Sequence, residues 1–264
     1  MGVGQNRTII YIHGGGWTSG ARTDAPHLKA YFANQGYIIF SIDYRLVDTA
    51  LLAVKEEIGL NLSVKSAEET RYLSGPYRIR DMIQDIGEFT HHIAGLPWAY
   101  GANLSRVCFL GQSAGGFLAG IAALGYKNPW FGSSFNQNLS IESLILYYPP
   151  DDAESFFYNS HPYYHARFQM IEGTPETNPE EFFYFTPSNL VGPESPPCLL
   201  LHGTMDTLVP YENSLRIQQK YKEFNRPLIL ITYYFIGHAF THNSQYQPIN
   251  IFYIERFLYH VTRF

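Results

Sequence analysis

One stretch limits this chain to a narrow set of folds: a strand that must turn back into a helix within a few residues. Residues 107–110, Val-Cys-Phe-Leu, read as a buried strand, and residues 117–124 read as a helix. Between them runs Gly111-Gln112-Ser113-Ala114-Gly115-Gly116. This is the G-x-S-x-G pattern of a nucleophile elbow, with Ser113 at the strained tip. Gly111 and Gly115 lack Cβ atoms, so the two arms can approach closely. The turn lifts the Ser113 hydroxyl clear of the sheet. It also leaves the Ala114 N–H at a helix N-terminus, where it can meet an oxyanion. Taken alone, the pattern also fits an ordinary tight turn ahead of a helix.

A second strand-to-glycine junction lies near the start. Residues 7–12 are rich in β-branched side chains and run into His13-Gly14-Gly15-Gly16-Trp17. Consecutive glycines let the backbone pass close to a ligand and turn its N–H groups inward. The alternative is a flexible turn. An acyl-transfer site needs a second set of donors, and this turn offers one.

Together, His13-Gly14-Gly15-Gly16-Trp17 and Gly111-Gln112-Ser113-Ala114-Gly115-Gly116 resemble the α/β-hydrolase fold. The branch is that of hormone-sensitive-lipase-like carboxylesterases and kynurenine formamidase-like enzymes. The resemblance implies an α/β chain with a mostly parallel, doubly wound sheet and helices on both faces. It implies an oxyanion hole from the N–H groups of Gly14, Gly15 and Ala114. It also places the triad acid in Gly203-Thr204-Met205-Asp206-Thr207-Leu208-Val209-Pro210, at Asp206, and the triad histidine in Gly237-His238-Ala239-Phe240, at His238. The order Ser113, Asp206, His238 is the one α/β-hydrolases show. His242 is a rival base. His202 reads as a buried residue at a strand end, and His13 as a ring that orders its own loop.

The rest of the chain is read around these points. Residues 24–35 read as a helix with Asp24 as N-cap and Pro26 in the first turn, ended by Gly36. Residues 37–44 read as a strand leading to Asp43-Tyr44-Arg45-Leu46, which resembles a D-Y-R-L segment of the family; Asp43 and Arg45 are expected to brace the loop. Residues 47–76 depart from the family as a longer polar insertion, either near the mouth of the site or a solvated surface loop. Apolar residues at 79, 82, 83, 86 and 89 make an amphipathic helix. His91-His92 reads as a surface helix end. Residues 151–187, rich in Phe and Tyr, resemble the cap that α/β-hydrolases insert. Phe156, Phe157 and Tyr163, with Trp17, are candidates for substrate contact; the alternative is that such rings pack the cap onto the body. Fewer residues precede the H-G-G-G strand than the family usually carries, so the sheet is expected to be trimmed at that edge.

Composition excludes several classes. The 264 residues suit one α/β domain, residues 1–264, with a buried core, or at most two small domains. A net charge of −5 without a basic cluster argues against nucleic acid and anionic membrane surfaces. No apolar run reaches the ~18 residues of a membrane span, and the start lacks the form of a signal peptide. A cytoplasmic place follows if the native chain begins at Met1. The 2 cysteines, Cys108 and Cys198, sit in apolar runs and read as buried hydrophobes.

The expected activity is serine hydrolysis of a small ester, with N-formyl aryl amide hydrolysis as alternative. A non-catalytic ligand-binding protein on the same fold is the reading from another class. Acyl transfer by these groups calls for no metal and no organic cofactor. The expected partner is a small-molecule ester or amide, and a homodimer is compatible with the sequence.

Overall fold

The computed structural model describes residues 7–47, 74–95, 101–131, 133–158 and 170–261. In chain order the elements are β1 (Thr8–Ile12), α1 (Pro26–Asn34), β2 (Ile38–Ile42), β3 (Leu46–Val47), β4 (Ser74–Gly75) and α2 (Ile79–Gly95). There follow β5 (Val107–Gln112), α3 (Ala114–Gly125), β6 (Ile141–Tyr147), α4 (Ala153–Phe157) and α5 (Pro179–Tyr184). The last are β7 (Cys198–Gly203), α6 (Glu212–Glu223), β8 (Leu228–Tyr233) and α7 (Gln247–Val261). The strands expected at 7–12, 37–44 and 107–110, and the helices expected at 24–35, 79–89 and 117–124, form with bounds that differ by a few residues.

Six strands make one sheet in the order β2-β1-β5-β6-β7-β8, and every pairing is parallel. The chain runs outward from β1 to β2, then returns to place β5 on the other side of β1. Ligands bind parallel sheets at such a switch point, beyond the carboxyl ends of the strands. His13 follows the end of β1 and Ser113 the end of β5, and Ile12 is in register with Gly111. Both glycine turns therefore open at the switch point.

Strand side chains alternate between two apolar layers, as period-2 geometry requires. Ile10, Ile12, Phe109, Leu144, Leu146 and Leu200 share one layer with Met82 and Ile83 of α2, Phe117 of α3, and Ile217 of α6. Ile9, Tyr11, Leu110, Ile145, Tyr147 and Leu201 share the other with Phe32 of α1 and Ile254 and Phe257 of α7. Helices thus cover both faces of the sheet. The thiols of Cys108 and Cys198 lie inside this core, and burial pushes Cys108 up to about 12. No described helix is long and apolar enough to cross a membrane.

Two local expectations need correction or qualification. Asp24 does not cap α1: the cap position is Ala25 in left-handed backbone, and the Asp24 carboxylate accepts from the Ala21 N–H at 3.4 Å. The turn before the helix uses this side chain itself, which moves the helix start to Pro26. Most of the insertion expected at 47–76 lies outside the described residues. Its two ends meet, because β3 and β4 pair in parallel. Asp43 and Arg45 do brace loops: Asp43 accepts from the Arg22 backbone N–H at 2.6 Å, and Arg45 Nε donates to Asp85 at 2.8 Å.

The described parts of the aromatic stretch, residues 151–158 and 170–187, pack against α2 and α3. Phe157 meets Phe182 edge to face at 5.2 Å, and Trp130 stacks on Tyr184 at 4.5 Å. The Ile79 N–H donates to the Met170 carbonyl at 3.3 Å, and Arg80 pairs with Glu181 at 3.0 Å.

Candidate active site

The elbow has the strained geometry its sequence calls for. Ser113 sits at φ 53°, ψ −124°, a region that side-chain-bearing residues rarely occupy. Its N–H donates to the Tyr147 carbonyl at 2.9 Å, and its carbonyl accepts from Phe117 at 3.0 Å. Glycine is obligatory on both arms. A Cβ on Gly111 would overlap the Gly115 carbonyl, and one on Gly115 would overlap the carbonyl oxygens of His13 and Ile12. Close approach of β5, α3 and β1 is thus built from missing side chains.

The same approach brings the glycine turn beside Ser113. A Cβ placed on Gly14 would lie 3.3 Å from Ser113 Cβ and 3.0 Å from the Gln112 carbonyl. Gly15 and Gly16 take φ of 111° and 60°. His13 is buried, stacks on Tyr44 at 4.4 Å, and its Nδ1 lies 2.7 Å from the Gly14 carbonyl oxygen. The Tyr44 hydroxyl donates to the His13 carbonyl at 3.0 Å. The His13 ring therefore orders its own loop, as expected. Burial also lowers its pKa, which disfavours the imidazolium there. Ala114 is the first residue of α3, so its N–H has no carbonyl in its own helix to bond.

Two further loops meet over the sheet. The Thr204 N–H donates to the Tyr233 carbonyl at 2.9 Å, and the Met205 N–H to the Ile236 carbonyl at 3.0 Å. These bonds clasp the loop after β7 to the loop after β8. As a result His238 Nδ1 lies 2.6 Å from Asp206 Oδ2, and His238 Nε2 lies 2.9 Å from Ser113 Oγ. Three side chains far apart in sequence form one hydrogen-bonded line. His242 is not on it; its side chain faces a cavity of about 110 Å³ shared with Tyr11, Gln112 and Tyr147.

Asp206 is almost wholly buried, and burial by itself would raise its carboxyl. Hydrogen bonds from His202 and His238, the His238 charge and the Val209 N–H outweigh that effect and hold it at about 2, below the ordinary 3.8. A carboxyl whose pKa is depressed by folding adds stability above its unfolded value and loses it as pH falls through the folded one. The stability gap between wild type and Asp206→Asn, measured by urea unfolding, is expected to narrow by about 2 kcal/mol between about pH 5 and pH 2. A gap that stays constant over this range rules out the depressed carboxyl.

Residues not anticipated from sequence support the histidine. Tyr148 takes φ 35° directly after β6, and its ring lies 4.5 Å from the His238 ring. Its hydroxyl bonds Thr241, whose own hydroxyl donates to Gln112 Oε1 at 2.9 Å. The one available signal is place: Tyr148 directly follows the carboxyl end of a central strand. Trp17, Phe156 and Phe157 are core residues. Trp17 meets Phe117 edge to face at 5.4 Å, and the two phenylalanines anchor α4. A five-residue helix has little other apolar surface with which to dock, so its rings are committed to packing. Tyr163 lies outside the described residues. A cleft of about 500 Å³ lies at the seam of α5 and α6, lined by Asp151, Phe182 and Arg216, away from the Ser113–His238–Asp206 line.

The BD-FAE family model matches residues 2–57 and 71–221 of this chain. Among curated proteins, the chain is 24% identical over 243 residues to the probable carboxylic ester hydrolase LipM of Mycobacterium tuberculosis, covering 90% of this chain and 50% of that protein. It is 24% identical over 233 residues to esterase LipC of the same organism, covering 83% and 49%. The chain spans about half the length of the curated relatives it matches. Among solved structures, tributyrin-phosphonate-inhibited esterase B from Lactobacillus rhamnosis superposes with a TM-score of 0.74 at 20% identity, over 98% of this chain and 77% of that one. Thermogutta terrifontis esterase 2 phosphonylated by sarin gives 0.71 at 19% identity, over 98% and 85%. These likenesses establish the α/β-hydrolase fold.

Proposed function

This chain belongs to the BD-FAE family, and from that premise we propose that it hydrolyses a small carboxylic ester through an acyl-enzyme on Ser113. The observation that carries the reading is the unbroken line Ser113 Oγ–His238 Nε2, His238 Nδ1–Asp206 Oδ2, at 2.9 and 2.6 Å. The relatives LipM and LipC, named as ester hydrolases, support the ester over the formamide. The same reading treats residues 1–264 as one domain with 151–187 as its cap.

A serine hydroxyl is a weak nucleophile near neutral pH and needs a base. In this reading His238 Nε2 takes the Ser113 proton as Oγ attacks the ester carbonyl carbon. Asp206 holds the ring with Nδ1–H inward and stabilises the imidazolium. Negative charge collects on the former carbonyl oxygen, where the N–H groups of Gly14, Gly15 and Ala114 meet it, each worth on the order of 3 kcal/mol. The C–O bond breaks, His238 returns its proton to the departing alkoxide, and an alcohol leaves. Water then attacks the acyl-enzyme while His238 takes its proton. The acid departs and Ser113 is restored.

The test is a series of nitrophenyl esters, from acetate through butyrate to octanoate, run beside N-formylkynurenine. The highest kcat/KM is expected on the short esters. Preference for the formamide overturns the ester assignment. Failure of a fluorophosphonate to label the folded protein favours a non-catalytic binding protein.

A further inference from the structure

Asp206 Oδ2 carries two imidazoles. His238 reaches it through Nδ1 at 2.6 Å; His202 faces it through Nε2 at 3.3 Å. His202 is the penultimate residue of β7 and is 0% exposed. Its Nε2 also lies 2.9 Å from the Val209 carbonyl oxygen, and its Nδ1 lies 2.7 Å from Ser214 Oγ on α6. A carbonyl and a carboxylate can only accept. Nε2 therefore carries the proton and shares it between them, and the Ser214 hydroxyl is left to serve Nδ1.

The other carboxylate oxygen closes the arrangement. Asp206 Oδ1 accepts from Leu208 N–H at 3.0 Å and Val209 N–H at 2.8 Å. His202 thus grips the 206–209 turn twice, at its carboxylate and at the carbonyl of the residue that donates to Oδ1. It does so from a sheet strand, the most rigid support available to a loop.

We propose that His202 is a positioning residue for the triad acid, fixing the carboxylate and drawing charge from the oxygen that faces His238. The proposal rests on reading Ser113, His238 and Asp206 as a triad. The other titratable side chains facing this pair are Tyr148, 4.5 Å from the His238 ring and 6.4 Å from the His202 ring, and Tyr211, 5.5 Å from His202. Without the His202 donor, Oδ2 keeps more of its charge and stabilises the His238 imidazolium more strongly, so the acid limb of kcat/KM moves to higher pH. The carboxylate also gains freedom to turn, so kcat falls while KM holds.

Two substitutions separate this role from packing. In His202→Asn the amide lies where Nδ1 was, keeping Ser214 and losing Asp206. In His202→Gln it reaches the place of Nε2, keeping the donor and losing Ser214. His202→Asn is expected to lower kcat about tenfold and raise the acid limb by about half a pH unit, with KM within about twofold. His202→Gln is expected to keep the wild-type limb and most of kcat. Equal limbs in both variants and wild type overturn the proposal. One measurement needs no variant: long-range nitrogen–proton correlation on the wild-type imidazole. A His202 ring protonated at Nδ1 alone also overturns it. Ser113→Ala separates the levels: an inactive Ser113→Ala beside an unshifted His202→Asn sinks only the positioning role, whereas an active Ser113→Ala sinks the triad with it.

Discussion

Replacing Ser113 by alanine is expected to lower kcat/KM for a short nitrophenyl ester by about 10⁶-fold, because nucleophile and base act as a unit and removing one disables both. The residual rate comes from the backbone donors. Labelling by a fluorophosphonate is expected to vanish with it. Alanine keeps the backbone at φ 53°, so stability should hold. Ser113→Gly removes the hydroxyl and the strain together, and is expected to raise the melting temperature while being equally inactive. A Ser113→Ala protein that hydrolyses esters at the wild-type rate removes Ser113 from the mechanism.

The largest effect on folding is expected at Gly115. The Cβ of Gly115→Ala would overlap the carbonyl oxygens of His13 and Ile12. Both are backbone atoms of a central strand and its turn, so no side chain can swing aside. The elbow must part from β1, at a cost of about 3 kcal/mol, the upper end of what overpacking a core costs. For a chain of this size that is a fall of about 10 °C in melting temperature. Separation also moves the Gly14–Gly15 turn from Ser113, and a displacement near 1 Å costs about 10²-fold in rate. Gly95→Ala is the control: a Cβ at the end of α2 meets nothing within 4 Å. Melting of Gly115→Ala alongside Gly95→Ala would show that the close approach is not needed.

The frame was legible because it is written in two strong codes. Apolar runs leading into glycine mark β1 and β5, and glycines that tolerate no Cβ mark the point where those strands meet. Asp206 and His238 came from a resemblance; nothing in their spacing says that the loops after β7 and β8 are clasped by backbone bonds. What was not legible depends on orientation. Tyr148 adopts positive φ with no glycine to announce it. Phe156 and Phe157 can be read from sequence either as substrate contacts or as packing, because composition counts rings without saying which way they face; both lie in the core. Asp24 had the chemistry of a cap but used its carboxylate one turn too early. His202 was seen as buried, but its bond to Asp206 depends on a ring rotation and a tautomer.

The clasp between the last two loops also has a consequence in time. Ser113 and its glycine turn belong to the first half of the chain and can pack before translation ends. The base arrives only when residue 238 has been made and the edge strand before it has docked. In the proposed mechanism, a growing polypeptide folded only through β5 therefore holds Ser113 without its base until β8 has docked.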